Sequence, residues 1–244
     1  MNPCLLIPIY NHKDTIAAVL TDVALYRLPC IIIDDGSDAM SRQVLDQEAA
    51  KYVWVHVLRH ERNGGKGRAL ITGFLYAYDK GYSHAIQIDA DGQHNTHDIQ
   101  RFLAEAIAHP DALILGKPLF GPDVPRSRYY GRKISQWCAW VETLSFTIGD
   151  PLFGFRLYPL TATVTLLKRK RLGSRMDFEP DIAVRLYWAG VEIRNVETRV
   201  FYPAGGVSHF RLFWDNVRLS WLHTRLLTGM LVRIPQLLLR RQGG

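Results

Sequence analysis

The stretch HAIQIDADGQH, residues 84–94, decides the fold class, because an apolar strand runs directly into a polar turn that carries Asp89 and Asp91. Segments with apolar residues at helical spacing separate this strand from its neighbours. Earlier apolar runs also end in polar or glycine-rich turns, and they lie at residues 4–9, 30–33 and 53–58. Short strands alternating with helices predict an α/β fold with a Rossmann-like, mostly parallel sheet and flanking helices. Ligands bind such sheets beyond the carboxyl ends of the strands, where these polar turns gather.

Composition limits the class of protein further. The 244 residues are 48% hydrophobic and 22% charged, which excludes a disordered or low-complexity chain. The cysteines, Cys4, Cys30 and Cys138, are far apart, so we expect a reducing compartment such as the cytoplasm and no cysteine zinc site. We also expect neither a secretory signal nor a transmembrane helix, since no run of about 18 uncharged apolar residues occurs.

The positive charge is concentrated near the end of the chain. The net charge is +7, and residues 205–244 contain six arginines and a single acid, Asp215. Leucines and aromatic residues interleave with these arginines over residues 210–239, which predicts an amphipathic helix at an anionic membrane surface. The alternative is a helix packed on its own domain or on a second copy. The apolar face is too heavy for nucleic-acid binding. We therefore expect a domain at 1–209 and a basic helical tail at 210–244, peripheral on the inner face of a membrane.

The two carboxylates after the strand at 84–88 indicate a metal site. Asp89 and Asp91 can turn toward one hard cation, Mg²⁺ or Mn²⁺, which prefers oxygen ligands and commonly bridges to substrate phosphates. Gln93 and His94 are near enough in sequence to help. A transition-metal site that includes His97 is the weaker alternative.

Other polar clusters point to an anionic ligand. The turn NGGKG at residues 63–67 opens a helix, and its glycines allow a phosphate to approach the helix N-terminus beside Lys66. It matches neither the GxxxxGK[ST] nor the GxGxxG pattern. Asp35, after its own strand, can accept a hydrogen bond from a base or a ribose. Arginines at 126, 128 and 132 either capture an anion or belong to a solvated loop.

Together the motifs resemble those of family 2 glycosyltransferases, most of all the bacterial branch similar to dolichol-phosphate-mannose synthase. The resemblance covers residues 3–210, and several motifs occur in order rather than a single one. They are LIPIYN at 6–11, IIIDDGSD at 31–38, NGGKGRAL at 63–70, IDADGQH at 88–94, DPLFGFRLYP at 150–159 and GVSHF at 206–210.

The resemblance implies a GT-A-type sheet and an inverting, metal-dependent transfer of a sugar from a UDP- or GDP-linked donor to a lipid or lipid-phosphate acceptor. It implies metal and diphosphate contacts from Asp89, Asp91 and Gln93, and a catalytic role for Arg156. It implies donor contacts from Pro8, Tyr10, Asn11, Ile33, Asp35, Lys66, Ala90 and His209. The chain departs from the pattern at His12, where many relatives have Glu, at Phe153, where they have Ser or Cys, and at His209, where some have Lys.

The chemistry of the acceptor decides whether a general base is needed. A hydroxyl must lose its proton, and the family pattern makes Asp181 the first candidate for the base and Glu179 the second. A lipid phosphate is already anionic and needs no base, which leaves Asp181 a positional role. Two other functions stay open at this point: a sugar-phosphate nucleotidyltransferase, and a non-catalytic membrane-binding module with a relic donor site.

Overall fold

The computed structural model of the protein describes residues 1–120, 126–201 and 212–242, in which a seven-stranded sheet lies between two layers of helices. The strands are β1 Pro3–Ile9, β2 Cys30–Asp34, β3 Val55–Arg59, β4 His84–Gln87, β5 Leu113–Leu119, β6 Arg156–Pro159 and β7 Ile193–Arg199. The helices are α1 Ile16–Ala24, α2 Ala39–Ala49, α3 Lys66–Asp79, α4 Ile99–Ala108, α5 Arg126–Thr143, α6 Leu160–Arg169, α7 Phe178–Trp188, α8 Leu212–Leu231 and α9 Ile234–Gln242.

The strand order confirms the predicted mostly parallel sheet and adds one reversal. The order is β3-β2-β1-β4-β6-β5-β7, and β6 is antiparallel to both of its neighbours. The other strand pairs are parallel. The sequence pattern did not predict β6, which is inserted between β4 and β5, two strands that are consecutive along the chain.

Alternation along the strands explains the two helix layers. In β1, Leu5 and Ile7 face the layer of α1, α2 and α4, while Cys4 and Leu6 face the layer that contains α3 and α5 to α9. Side chains of a strand alternate between the faces of a sheet, so an uninterrupted apolar run fits a strand that is covered on both sides.

The C-terminal segment is part of the same core. Leu222, Leu226 and Met230 of α8 and Leu237 of α9 are buried in the cluster that also holds α3 and α7. The expected tail at 210–244 therefore packs on the domain expected at 1–209, at least over α8 and α9. The predicted helix at 210–239 is two helices, and Pro235 is the second residue of α9, where its missing N–H costs no intrahelical bond.

No helix in the described ranges combines the length and the apolar character that a membrane span requires.

Candidate active site

A cavity of about 890 Å³ opens at the carboxyl ends of the strands. The strand ends and the start of α3 form one side of it, and α5 and α8 form the other. It brings together most of the residues that the sequence singled out, namely Pro8, Tyr10, Asp35, Lys66, Asp89, Ala90, Asp91, Gln93 and Glu179.

A lysine and two carboxylates form the centre of the cavity. The ammonium Nζ of Lys66 lies 2.7 Å from Asp89 Oδ1, 2.8 Å from Asp89 Oδ2 and 2.6 Å from Glu179 Oε1. Burial disfavours the charged forms of Lys66 and Asp89, but the attraction between the ammonium and the carboxylates outweighs this effect. The carboxylates of Asp89 and Glu179 raise the pKa of Lys66, and Lys66 holds the pKa of Asp89 below its usual range. Lys66 and Asp89 are consequently both ionised near neutral pH.

Two residues that the sequence analysis missed fix Glu179 in place. Gln87, fully buried in β4, donates from Nε2 to Glu179 Oε1 at 2.9 Å, and the Tyr158 hydroxyl donates to Gln87 Oε1 at 3.1 Å. A glutamine between the apolar residues Ile86 and Ile88 is the sequence signal that identifies such a residue, because a buried amide requires hydrogen-bond partners.

The glycine-rich turn is held by Asp35. Its carboxylate accepts hydrogen bonds from the backbone N–H groups of Gly64 and Gly65 and pairs with His60 Nδ1 at 2.8 Å. Gly65 has φ of +99° and a backbone oxygen, that of Ser174, 2.5 Å from the position of a Cβ, so only glycine suits this point. The turn thereby starts α3 at Lys66 and directs that side chain into the cavity.

The carboxylates after β4 fit a hard cation. Asp89 Oδ1 is buried and accepts no hydrogen bond, although it is within ion-pair distance of Lys66. Among the described residues, Asp91 Oδ1 accepts one hydrogen bond, a local one from the Gln93 N–H at 3.0 Å. Within the described ranges no three His, Cys, Asp or Glu side chains form a complete metal cage. Two carboxylates that share a cation with substrate phosphates are the usual magnesium arrangement.

His94 borders the same carboxylate. The backbone N–H of Asp89 donates to its Nδ1 at 3.2 Å, and its Nε2 lies 3.7 Å from Asp89 Oδ2. Burial lowers the pKa of His94, so the ring is neutral at neutral pH.

Four predicted residues lie away from the cavity. Ile33 is fully buried in the core. Asn11 accepts from the Asp38 N–H and supports the turn after β2. Arg156, also fully buried, donates to the backbone oxygens of Phe153, Glu179 and Pro151 and so holds the cavity wall together.

Asp181 is the fourth of these residues. Its side chain is 0% exposed, pairs with Arg185 and accepts a hydrogen bond from the Gly173 N–H at 3.1 Å. The guanidinium Nη2 of Arg225 lies 3.6 Å from Asp181 Oδ2. Burial raises the pKa of Asp181. Glu179 and Asp181 thus face different surroundings, as two residues separated by about 200° around a helix must.

The opposite wall of the cavity is amphipathic. It combines Arg132, Ile134 and Ser135 of α5 with Leu219 and His223 of α8. Arg132 Nη1 donates to Asp150 Oδ2 at 2.9 Å, which orients the guanidinium. His209 lies outside the described residues, and so do the side chains of Arg126 and Arg128.

Comparisons with known proteins identify the family. The family model described as glycosyl transferase family 2 matches residues 4–173. An uncharacterized protein of Methanocaldococcus jannaschii is 33% identical over 216 residues, which are 84% of this chain and 90% of that one. The undecaprenyl-phosphate mannosyltransferase of Micrococcus luteus is 29% identical over 63% of this chain and 64% of its own.

A solved structure agrees on the fold. The glucosyl-3-phosphoglycerate synthase of Mycobacterium tuberculosis, in complex with Mn²⁺ and UDP-glucose, has a TM-score of 0.64 and 15% identity, and the match covers 95% of this chain and 78% of that one.

The fold and the family model thus define a glycosyltransferase with a fold of the GT-A type. The chain belongs to glycosyltransferase family 2 and is similar to the members that resemble dolichol-phosphate-mannose synthase. The nucleotidyltransferase and the non-catalytic membrane module, left open by the sequence, are therefore set aside.

Proposed function

We propose that the protein transfers a sugar from a UDP- or GDP-linked donor to a polyprenol-phosphate-type acceptor, with inversion and with Mg²⁺ or Mn²⁺ at Asp89 and Asp91. The named activity of the Micrococcus relative supports the lipid-phosphate acceptor, and the Mn²⁺ and UDP-glucose in the mycobacterial structure support the donor and the cation.

One observation carries the proposal: a single cavity joins the strand-end carboxylates to an amphipathic wall. The donor side holds Asp89, Asp91 and Lys66, while the far side holds Arg132 beside Ile134 and Leu219. A guanidinium bound to Asp150 suits a phosphate, and the apolar side chains beside it suit the start of a lipid chain. Donor and acceptor can therefore meet from opposite sides, as a single displacement requires.

The residues divide the work of that displacement. Tyr10 and Asp35 border the space for the nucleoside, and the ammonium of Lys66 is placed to meet the diphosphate. Asp89 and Asp91 would hold the divalent cation, which would supply positive charge to offset the charge that develops on the leaving diphosphate. A lipid phosphate attacks without losing a proton, so no general base is assigned. Asp181, buried against Arg185, then serves to position α7.

The exposed surface supports a peripheral position on a membrane. We define the α8 aromatic stripe as Phe213, Trp214, Val217 and Trp221, all of which are exposed. Ile134 and Trp137 of α5, which packs against α8, are exposed as well. Apolar residues of this kind insert into the headgroup region of a bilayer. The cysteines of the described ranges are free, in keeping with the reducing, cytoplasmic side.

The test is release of nucleoside diphosphate from a panel of UDP- and GDP-sugars in the presence of vesicles that contain a polyprenol phosphate. We expect activity with one donor, and we expect that activity to depend on Mg²⁺ or Mn²⁺. We expect no activity when unphosphorylated polyprenol is the acceptor in place of polyprenol phosphate. Asp91→Asn should abolish transfer, because the cation loses a charged ligand, whereas Asp79→Asn at the exposed end of α3 should retain it.

The outcomes separate the possibilities. Equal activity on the free polyprenol would show a hydroxyl acceptor and revive the need for a general base. Full turnover by Asp91→Asn, or undiminished turnover in EDTA, would contradict the metal assignment.

A further inference from the structure

Lys66 stands where a cation is expected. Its Nζ is 2.6–2.8 Å from three carboxylate oxygens that belong to Asp89 and Glu179. Oxygens converging from separate elements, the end of β4 and the start of α7, are the arrangement that proteins offer to a hard metal ion. Here a side chain of the protein fills it.

Asp89, which contacts Lys66, is also the carboxylate proposed to bind the metal. A Mg²⁺ ion binds oxygen at about 2.0–2.1 Å, so an ion on Asp89 and the ammonium in its present position would be two cations only a few ångströms apart. Their repulsion is large in a partly buried site. Asp89 can therefore serve Lys66 or a divalent ion, but hardly both in this geometry.

The surroundings leave room for exchange between the two. A Cβ on Gly154 would lie 2.5 Å from Asp89 Oδ2 and 2.8 Å from Lys66 Nζ, so the pair fits beside residue 154 only because that residue has no side chain. Lys66 is the first residue of α3, and its side chain is a flexible four-carbon stem in contact with the cavity. The ammonium can swing into the cavity without movement of the helix.

We propose that Lys66 is a resident cation that makes metal binding conditional on the nucleotide. Without donor, Lys66 neutralises Asp89 and Glu179 and competes with the divalent ion for Asp89. The donor's diphosphate offers Lys66 another anion and gives the metal further oxygen ligands, so the two cations separate. The inference rests on the proposed function, because the diphosphate is the ligand that draws Lys66 away.

The experiment measures Mn²⁺ binding to the full chain by electron paramagnetic resonance, with and without UDP or GDP. Wild type should bind Mn²⁺ weakly alone and at least tenfold more tightly with one nucleotide. Lys66→Met should bind Mn²⁺ about tenfold or more tightly than wild type without nucleotide, because a like charge is gone. Lys66→Arg should resemble wild type, and so should Lys117→Met, which removes an exposed lysine paired with Glu197.

A second variant guards against misfolding. Lys66→Met combined with Glu179→Gln removes one charge of each sign, and it should also bind Mn²⁺ more tightly than wild type without nucleotide. Unchanged or weaker Mn²⁺ binding by a folded Lys66→Met or double variant would overturn the inference. If Lys66→Met binds more tightly but no nucleotide affects wild type, the lysine role stands and the proposed donor fails.

Discussion

At the scale of single residues, two acids two positions apart have different environments. Glu179 lines the cavity and contacts Lys66 and Gln87, whereas Asp181 is enclosed by Arg185, Arg225 and the Gly173 N–H. Removing one partner from a buried ion pair leaves the other charge uncompensated, which is costly. The burial of Asp181 therefore points to stability rather than to proton transfer.

Asp181→Asn should lower the melting temperature while turnover on a lipid phosphate stays within a few-fold of wild type. A loss of about 2 kcal/mol corresponds to roughly 4–8 °C for a chain of this size. Thermal unfolding and the transfer assay measure the two effects on one preparation, and Asp111→Asn, an exposed acid, is the control. An unchanged melting temperature with turnover reduced 10²–10⁴-fold, the range for lost acid–base catalysis, would restore Asp181 as the base.

At the scale of elements, a buried acid joins α5 to α8. Glu142 Oε1 pairs with His223 Nδ1 at 2.7 Å, and both Glu142 Oε2 and His223 Nε2 are buried without a hydrogen-bond partner in the described residues. Burial raises the pKa of Glu142, His223 acts in the opposite direction, and Asp181 of α7 adds to the rise. The contact between these helices therefore carries a titratable group.

Glu142→Gln should gain in melting temperature relative to wild type as the pH rises. The folded protein holds the Glu142 proton longer than the unfolded chain, whose glutamates titrate near about 4.3. Between that value and the raised pKa of Glu142, the loss of this proton lowers the unfolding free energy of wild type as the pH rises. The variant has no proton to lose at position 142 and lacks this contribution. From pH 4 to 8 the melting temperatures of wild type and Glu142→Gln should diverge by about 2–4 °C for each kcal/mol of difference in unfolding free energy. Glu61→Gln, which replaces an exposed glutamate, is the control. A constant difference between the curves would contradict this linkage.

The elements also show what a sequence can and cannot predict. The parallel strands were predictable because their apolar runs end in recognisable turns and are separated by helical segments. The set of residues around Asp89 followed from the shared edge of those strands. The strand β6 was not predictable, because its sequence RLYP is short, begins with a charged residue and is stabilised by its neighbours in the sheet. Contacts such as Lys66 with Glu179 join residues far apart in sequence, and no local pattern specifies them.

At the scale of the whole molecule, the tail has two faces with different roles. Arg225 pairs with Asp181, and Arg233 lies over the Trp188 ring at 4.6 Å, so two of the arginines expected at a membrane instead contact the domain. The α8 aromatic stripe is exposed, whereas Leu222 and Leu226 on the same helix are buried, so the two faces of α8 have different surroundings.

Replacing Trp214 and Trp221 by Ser should weaken binding to anionic liposomes about tenfold or more, since each loses apolar area from the headgroup region. Binding by wild type should fall as salt rises, through screening of the basic residues. Val53→Ser, in the turn before β3, and Ile107→Ser, in α4, remove exposed apolar side chains elsewhere and should have little effect. Co-sedimentation measures all variants. Absence of wild-type binding at low salt would indicate that the stripe covers another protein surface.

The reversed strand β6 affects the order in which the strands of the sheet can pair during translation. When β5 has been translated, its partners β6 and β7 do not yet exist, and β4 also has an open edge. Unpaired strand edges are templates for association with other chains. The nascent protein must therefore shield two strands until residues 156–159 emerge and fill the gap between them. Because β6 also supplies Tyr158, which donates to Gln87, its insertion fixes Gln87 before Glu179, which comes later in the chain, is translated. A chain arrested before this point would have the four paired strands β3, β2, β1 and β4, but neither β6 nor Glu179.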